Sequence, residues 1–212
     1  MTLSELKQTV IDQAGQQLNT AIDTEVSDTI FQRIVEKIVL PKFGRYKYKS
    51  EIQRFYTVQS PYVFVDPAPD WISYIKPLNF LSLSNPLAAL LKDKEIDSIT
   101  GISKPSFLYK YEKPNLYIEY VGEMEARVCY RAYVDESSLN EIQYVKDSDL
   151  DTLIELTLGH FLVSLGRSRR LAKLTELPIE IDAEALVNEG NDLIRATEEK
   201  LHLNSDWHLA VG

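Results

Sequence analysis

Apolar side chains recur at spacings of three and four residues near both ends of the chain, and on alternate residues through its middle. In SELKQTVIDQAGQQLNTAI, Leu6, Val10, Ile11, Ala14, Leu18 and Ile22 fall on one stripe of a 3.6-residue period, with Ser4 placed as an N-cap. TEVSDTIFQRIVEKIVLPKFG repeats the spacing with Val26, Ile30, Ile34 and Ile38, and Pro41 and Gly44 stop it. Two amphipathic helices are predicted over residues 1–44.

From Gly44 to about Val134 the chain turns to short runs of Tyr, Val, Ile and Phe, broken by Pro67, Pro69, Pro77, Pro86, Pro105 and Pro114. A meander is predicted here: SFLYKYE, a turn at Lys113, Pro114 and Asn115, LYIEYV, a turn at Gly122 and Glu123, then ARVCYRAYV. In that last strand Ala126, Val128, Tyr130, Ala132 and Val134 share one face, while Arg127, Cys129, Arg131 and Tyr133 share the other. One face belongs to a core and the other to solvent or a partner.

The polar break DESSLNEIQYVKDSD precedes a return to helical spacing. One helix is predicted over residues 149–174 and another from an N-cap at Asp182, with Leu186, Gly190, Leu193, Thr197 and Leu201 on its packing face. There is no internal repeat or long linker. The fold class expected is α+β: a helical bundle formed by the N- and C-terminal helices, with an inserted antiparallel β-region. In domain terms, residues 1–44 are N-terminal helices, 45–135 an inserted β-rich region, and 136–212 C-terminal helices that pack with 1–44 as one compact unit.

LTLGHFLVSLGRSRRLAKL, residues 156–174, asks the sharpest functional question. Leu150, Leu153, Ile154, Thr157, Phe161 and Leu165 make one helical face, and Leu156, Leu158, Leu162 and Val163 carry the apolar surface most of the way round. Such a helix is either central to the core or half covered by another subunit, and Gly159 permits a close helix approach. His160 reads as a packed, hydrogen-bonded histidine rather than a base. Arg167, Arg169, Arg170 and Lys173 then crowd the helix end, where cations favour the negative end of the dipole and Arg forks can grip carboxylates or phosphates.

Composition narrows the choices. A chain of 212 residues can bury a full core without metal or disulfide, and its 12 Tyr, 7 Phe and 2 Trp argue against disorder. Cys129 is the only cysteine, so no intramolecular disulfide can form. The opening segment has acids and glutamines where a secretory leader would be basic and apolar, so a reducing cytoplasmic origin is expected. No stretch reaches the roughly 18 apolar residues of a membrane span. The net charge of −9 disfavours general nucleic-acid affinity. It is unevenly spread: residues 41–60 hold Lys42, Arg45, Lys47, Lys49 and Arg54 against Glu51, a net of +4, while 175–212 hold nine acids against Arg195 and Lys200, a net of −7.

Signatures of chemistry are missing. There is no Gly-rich phosphate loop, nucleophile elbow, paired-cysteine metal site or histidine pair at helical spacing, so no catalytic, cofactor or metal residue is expected. Asp147, Asp149 and Asp151 resemble the start of a calcium loop but lack its glycine and closing glutamate, and read as helix N-terminal acids. His202, Asp206 and His208 match no common zinc spacing. Cys129 reads as a packed strand residue. KFGRYKYKS interleaves Lys42, Arg45, Lys47 and Lys49 with Phe43, Tyr46 and Tyr48, the make-up of either a single-strand stacking platform or an edge strand that meets a protein.

With LYKYEKPNLYIEY and RVCYRAYV in the β-region, followed by a long helix through DTLIELTLGHFLVSLGRSRR, the chain resembles the adaptor or head–tail connector proteins of tailed bacteriophages. The resemblance covers mainly residues 106–174. It implies a small non-enzymatic virion protein, made in the host cytoplasm, that forms a homo-oligomeric ring, expected to be a dodecamer, between portal and tail proteins around the path of genomic DNA. No cofactor and no membrane partner is implied. Arg167, Arg169, Arg170 and Lys173 are the first expected contacts to a neighbour or DNA, and Lys42, Arg45, Lys47 and Lys49 the second. Tail-completion, terminator and baseplate proteins are neighbouring readings, and a nucleic-acid-binding module is the alternative of a different class.

Overall fold

A computed structural model describes residues 1–18, 27–57, 62–77, 109–118, 122–173 and 183–206. The protein is α+β, with helices towards both termini and antiparallel sheets between them. It divides into two compact units, one of residues 1–49 with 131–212, the other of residues 50–130. Residues 45–49 and 131–135, which the sequence pattern assigned to the β-rich region, thus belong to the helical unit.

In the helical unit, α1 (Leu3–Leu18) starts with a reciprocal cap. Thr2 Oγ1 accepts from the Glu5 N–H at 3.2 Å, and Glu5 Oε2 accepts from the Thr2 N–H at 2.8 Å. Thr2 therefore takes the role expected of Ser4. Leu6, Val10 and Ala14 are fully buried and Ile11 packs against the same core, as the stripe predicted; Ile22 and Val26 lie outside the described residues.

Ser27 caps α2 (Asp28–Ile34), which runs through a π-helical turn at Val35–Val39 into α3 (Leu40–Phe43), and Gly44 closes it. The π turn lies just before Pro41, which has no N–H to donate back along the helix. It also re-aims the apolar face. Phe31, Ile34, Val35, Val39, Leu40 and Phe43 are buried, whereas Ile30 and Ile38, expected inside, are 47% and 39% exposed. The edge of Phe31 meets Phe161 with ring centroids 6.2 Å apart.

α4 (Leu150–Lys173) follows a 3₁₀ turn at Asp147–Asp149, and α5 (Ala183–Leu203) packs along it. The two helices are antiparallel and very close: a Cβ on Gly159 would lie 2.8 Å from Ile194 Cγ1, and one on Gly190 would lie 2.7 Å from the Gly159 carbonyl oxygen. Leu186, Gly190, Thr197 and Leu201 form the buried side of α5, with Leu193 packed partly against it. Two short strands, here β7 (Tyr133–Asp135) and β8 (Glu141–Gln143), make a hairpin where an irregular polar break was expected.

In the inserted unit, β1 (Lys49–Thr57), β6 (Gly122–Tyr130) and β3 (Trp71–Pro77) form one three-stranded sheet with β6 central. A second sheet has the order β2 (Tyr62–Phe64), β5 (Asn115–Ile118), β4 (Tyr109–Glu112). The β4–β5 hairpin matches the expected turn at Lys113–Asn115, and residues 106–108 lie outside the described set. The rest of the meander does not form. β6 pairs with β3 in the register Ile72↔Val128 and Lys76↔Glu125, in a different sheet from β5. The face expected to be wet or in contact is mixed: Arg127 is exposed, whereas Cys129, read as a packed strand residue, is buried, as is Glu125; on the other side of the strand Met124, Ala126, Val128 and Tyr130 are buried. Tyrosine hydroxyls tie the two sheets to the Pro67–Asp70 segment: Tyr130 donates to the Pro67 carbonyl at 3.1 Å and Tyr111 to that of Pro69 at 2.7 Å.

Candidate functional site

The question posed by α4 has a local answer. Leu153, Leu156, Leu158, Phe161, Leu162, Val163 and Leu165 are buried by α1, α2, the π turn and α5 of the same chain. The apolar circumference is used up inside the helical unit, so it makes no demand for a covering subunit. Beyond Leu165 the helix changes character: Arg167 and Arg170 are exposed and Arg169 is half-buried, while the side chain of Lys173 lies outside the described set. The buried part holds α4 rigid and the last turns carry its cations outward.

His160 sits where apolar and charged parts meet. Burial, with the nearby Lys42 cation, pushes its pKa down to about 4 against a small upward pull from Glu198. Its Nε2 is buried and has no hydrogen-bond partner among the described residues, unlike the hydrogen-bonded histidine expected. Lys42 Nζ meets Glu198 Oε1 at 2.6 Å, which ties the end of α3 to α5.

The second expected contact surface is largely taken up within the protein. Lys47 is buried, with Nζ 3.1 Å from Asp149 Oδ1 and 3.7 Å from Asp206 Oδ1. Asp206 also accepts from Lys146 Nζ at 2.7 Å and from the Tyr48 N–H at 3.1 Å, and its own N–H donates to the Tyr46 carbonyl at 2.8 Å. Buried charges persist only when paired and hydrogen-bonded, and this cluster meets both conditions. Lys47 is therefore a structural cation rather than an outward contact. Phe43 is in the core, Tyr46 packs against His202, and the Tyr48 ring lies under Lys146, so the three aromatics do not form a stacking platform. Arg45 is exposed and Lys49, at the start of β1, is half-buried.

The aspartate run divides as well: Asp151 is exposed in the first turn of α4, whereas Asp149 is the buried partner of Lys47. Asp206 binds lysines, and His208 lies outside the described residues. Among the described residues no group of three or more His, Cys, Asp or Glu is placed to hold a metal ion, and no helix is long and apolar enough to cross a membrane. No protein-family model matches the chain, and no curated protein matches its sequence.

The sequence pattern missed one charged surface. On the β1–β6–β3 sheet, Lys76 Nζ lies 2.8 Å and Arg54 Nε 3.8 Å from Glu125, and the Tyr74 hydroxyl reaches the same carboxylate at 3.3 Å. The Arg127 guanidinium stands 5.1 Å from the centroid of the Tyr74 ring. The Lys76 hydrogen bond holds the Glu125 carboxyl below its ordinary pKa, and the same bond raises that of Lys76. Period-two alternation in IQRFYT and SYIK was the available signal, since it puts Arg54 with Tyr56 and Tyr74 with Lys76 on single faces.

Proposed function

We propose that the chain is a non-enzymatic structural protein of a virion: a ring-forming adaptor between portal and tail at the neck of a tailed bacteriophage, made in the host cytoplasm. The observation that carries this reading is the construction of α4. A helix locked in the core by its own chain ends in the exposed cations Arg167 and Arg170, and the antiparallel α5 beside it turns Glu184, Asp192 and Glu199 outward. A rigid unit that presents exposed cations at the end of α4 and exposed acids along α5 suits head-to-tail contacts, which need two different complementary patches. Arg167 and Arg170, with Arg169 behind them, are assigned to a neighbouring neck protein or to DNA.

The test is incorporation into particles. The Arg167→Glu/Arg170→Glu variant should fold normally, since both side chains are exposed, but should enter purified particles at least about tenfold less than wild type, because reversed charges oppose the partner surface. Undiminished incorporation would remove this site assignment.

A further inference from the structure

The face of the inserted sheet that carries Tyr74 has a composition unsuited to solvent alone. Ile52, Arg54 and Tyr56 project from β1 and are exposed, with Arg127 on β6 and Lys76 on β3. Glu125 is only 9% exposed in its side chain, beneath Arg54 at 67% and Lys76 at 56%. The acid is neutralised under the cations, and Glu123 lies at the edge where β6 begins. The centre of the face therefore presents three cations among Tyr and Ile side chains. Arginine and tyrosine beside an apolar residue are enriched at the centres of protein interfaces.

The complementary surface is on the same chain. The outward side of α5 carries Glu184, Asp192 and Glu199, all exposed, with Arg195 already paired to Asp192 at 3.0 Å. Asp192 and Glu199 are seven residues apart, about 10 Å along a helix. Arg54 and Lys76 flank β6, two strand spacings apart, again about 10 Å.

We propose that the Arg54–Arg127–Lys76 sheet face docks the acidic outward side of α5 from a second copy of this chain. The inference rests on the self-assembling reading above and names the two surfaces that meet between copies. The contact joins unlike patches, so it propagates from copy to copy and closes where the rotation allows.

Two charge-reversed variants test it by light scattering at roughly 0.05 M salt, where surface charges are little screened. One is Arg54→Glu/Arg127→Glu on the sheet, and the other is Asp192→Lys/Glu199→Lys on an exposed helix face that tolerates substitution. Wild type is expected to self-associate. Each variant alone should associate at least about a hundredfold more weakly, and an equimolar mixture should recover association, because the reversed sheet now fits the reversed helix. Association of wild type left unchanged by either variant would overturn these two surfaces while leaving self-assembly standing. Wild type monomeric up to about 1 mM at that salt overturns the inference by itself, leaving the neck assignment to the particle experiment with Arg167 and Arg170. A single-stranded oligonucleotide that binds wild type but not the sheet variant would give the face to nucleic acid and overturn the second copy as occupant.

Discussion

His160 shows how one buried side chain makes stability depend on pH. Its pKa is about 4 in the folded protein, against an ordinary value near 6.5 when unfolded, so the unfolded chain binds the extra proton between those values. The neutral ring's contribution is complete above about pH 6.5 and is lost as the pH falls towards 4. Because the ring is only partly buried, solvent screening reduces the effect to on the order of 1–2 kcal/mol. Denaturant titrations at pH 7 and pH 4.5 should show wild type losing that much more stability than His160→Gln; equal losses would contradict it. Burial of the position was legible in its place among leucines. The nearness of Lys42 and the Lys47–Asp149–Asp206 cluster was not, because no local period encodes which distant charges meet.

At the scale of elements, glycines give the sharpest contrast. A Cβ at Gly159 or Gly190 would press into the facing helix at 2.7–3.0 Å, whereas one at Gly15 on α1 has nothing within 4 Å. Gly159→Ala should destabilise the protein by about 2–3 kcal/mol despite alanine's better helix propensity. Gly15→Ala should stabilise it by about 0.5–1 kcal/mol. Urea unfolding midpoints check both, and a stabilising Gly159→Ala would mean that the helices are not held so close. The close approach at Gly159 and the packing face of α5 were readable from spacing. The face of α2 was not, because TIFQRIVEKIV supports two overlapping stripes and the π turn breaks the 3.6 period that would choose between them. The β7–β8 hairpin was hidden by its turn, in which Leu139 and Asn140 take φ of 53° and 56°; leucine is no turn signal there.

At the scale of the whole molecule, the periods separate helical ends from a β-rich middle, and the chain enters and leaves the inserted unit through β1 and β6. Strand partners were less legible. Alternation identifies a strand but not its neighbour, so β6 looked like the third strand of a meander and is instead the centre of another sheet. The charged sheet face was missed for the same reason, since Arg54, Arg127 and Lys76 come together only once β1, β6 and β3 pair. The central claim is that this chain is a self-assembling subunit of a phage neck. Its most direct test is mass by light scattering, for the chain alone at rising concentration and then mixed with the portal-containing fraction of particles. The account predicts incorporation into a larger ring assembly. A chain that remains monomeric throughout and ignores every virion component would contradict it.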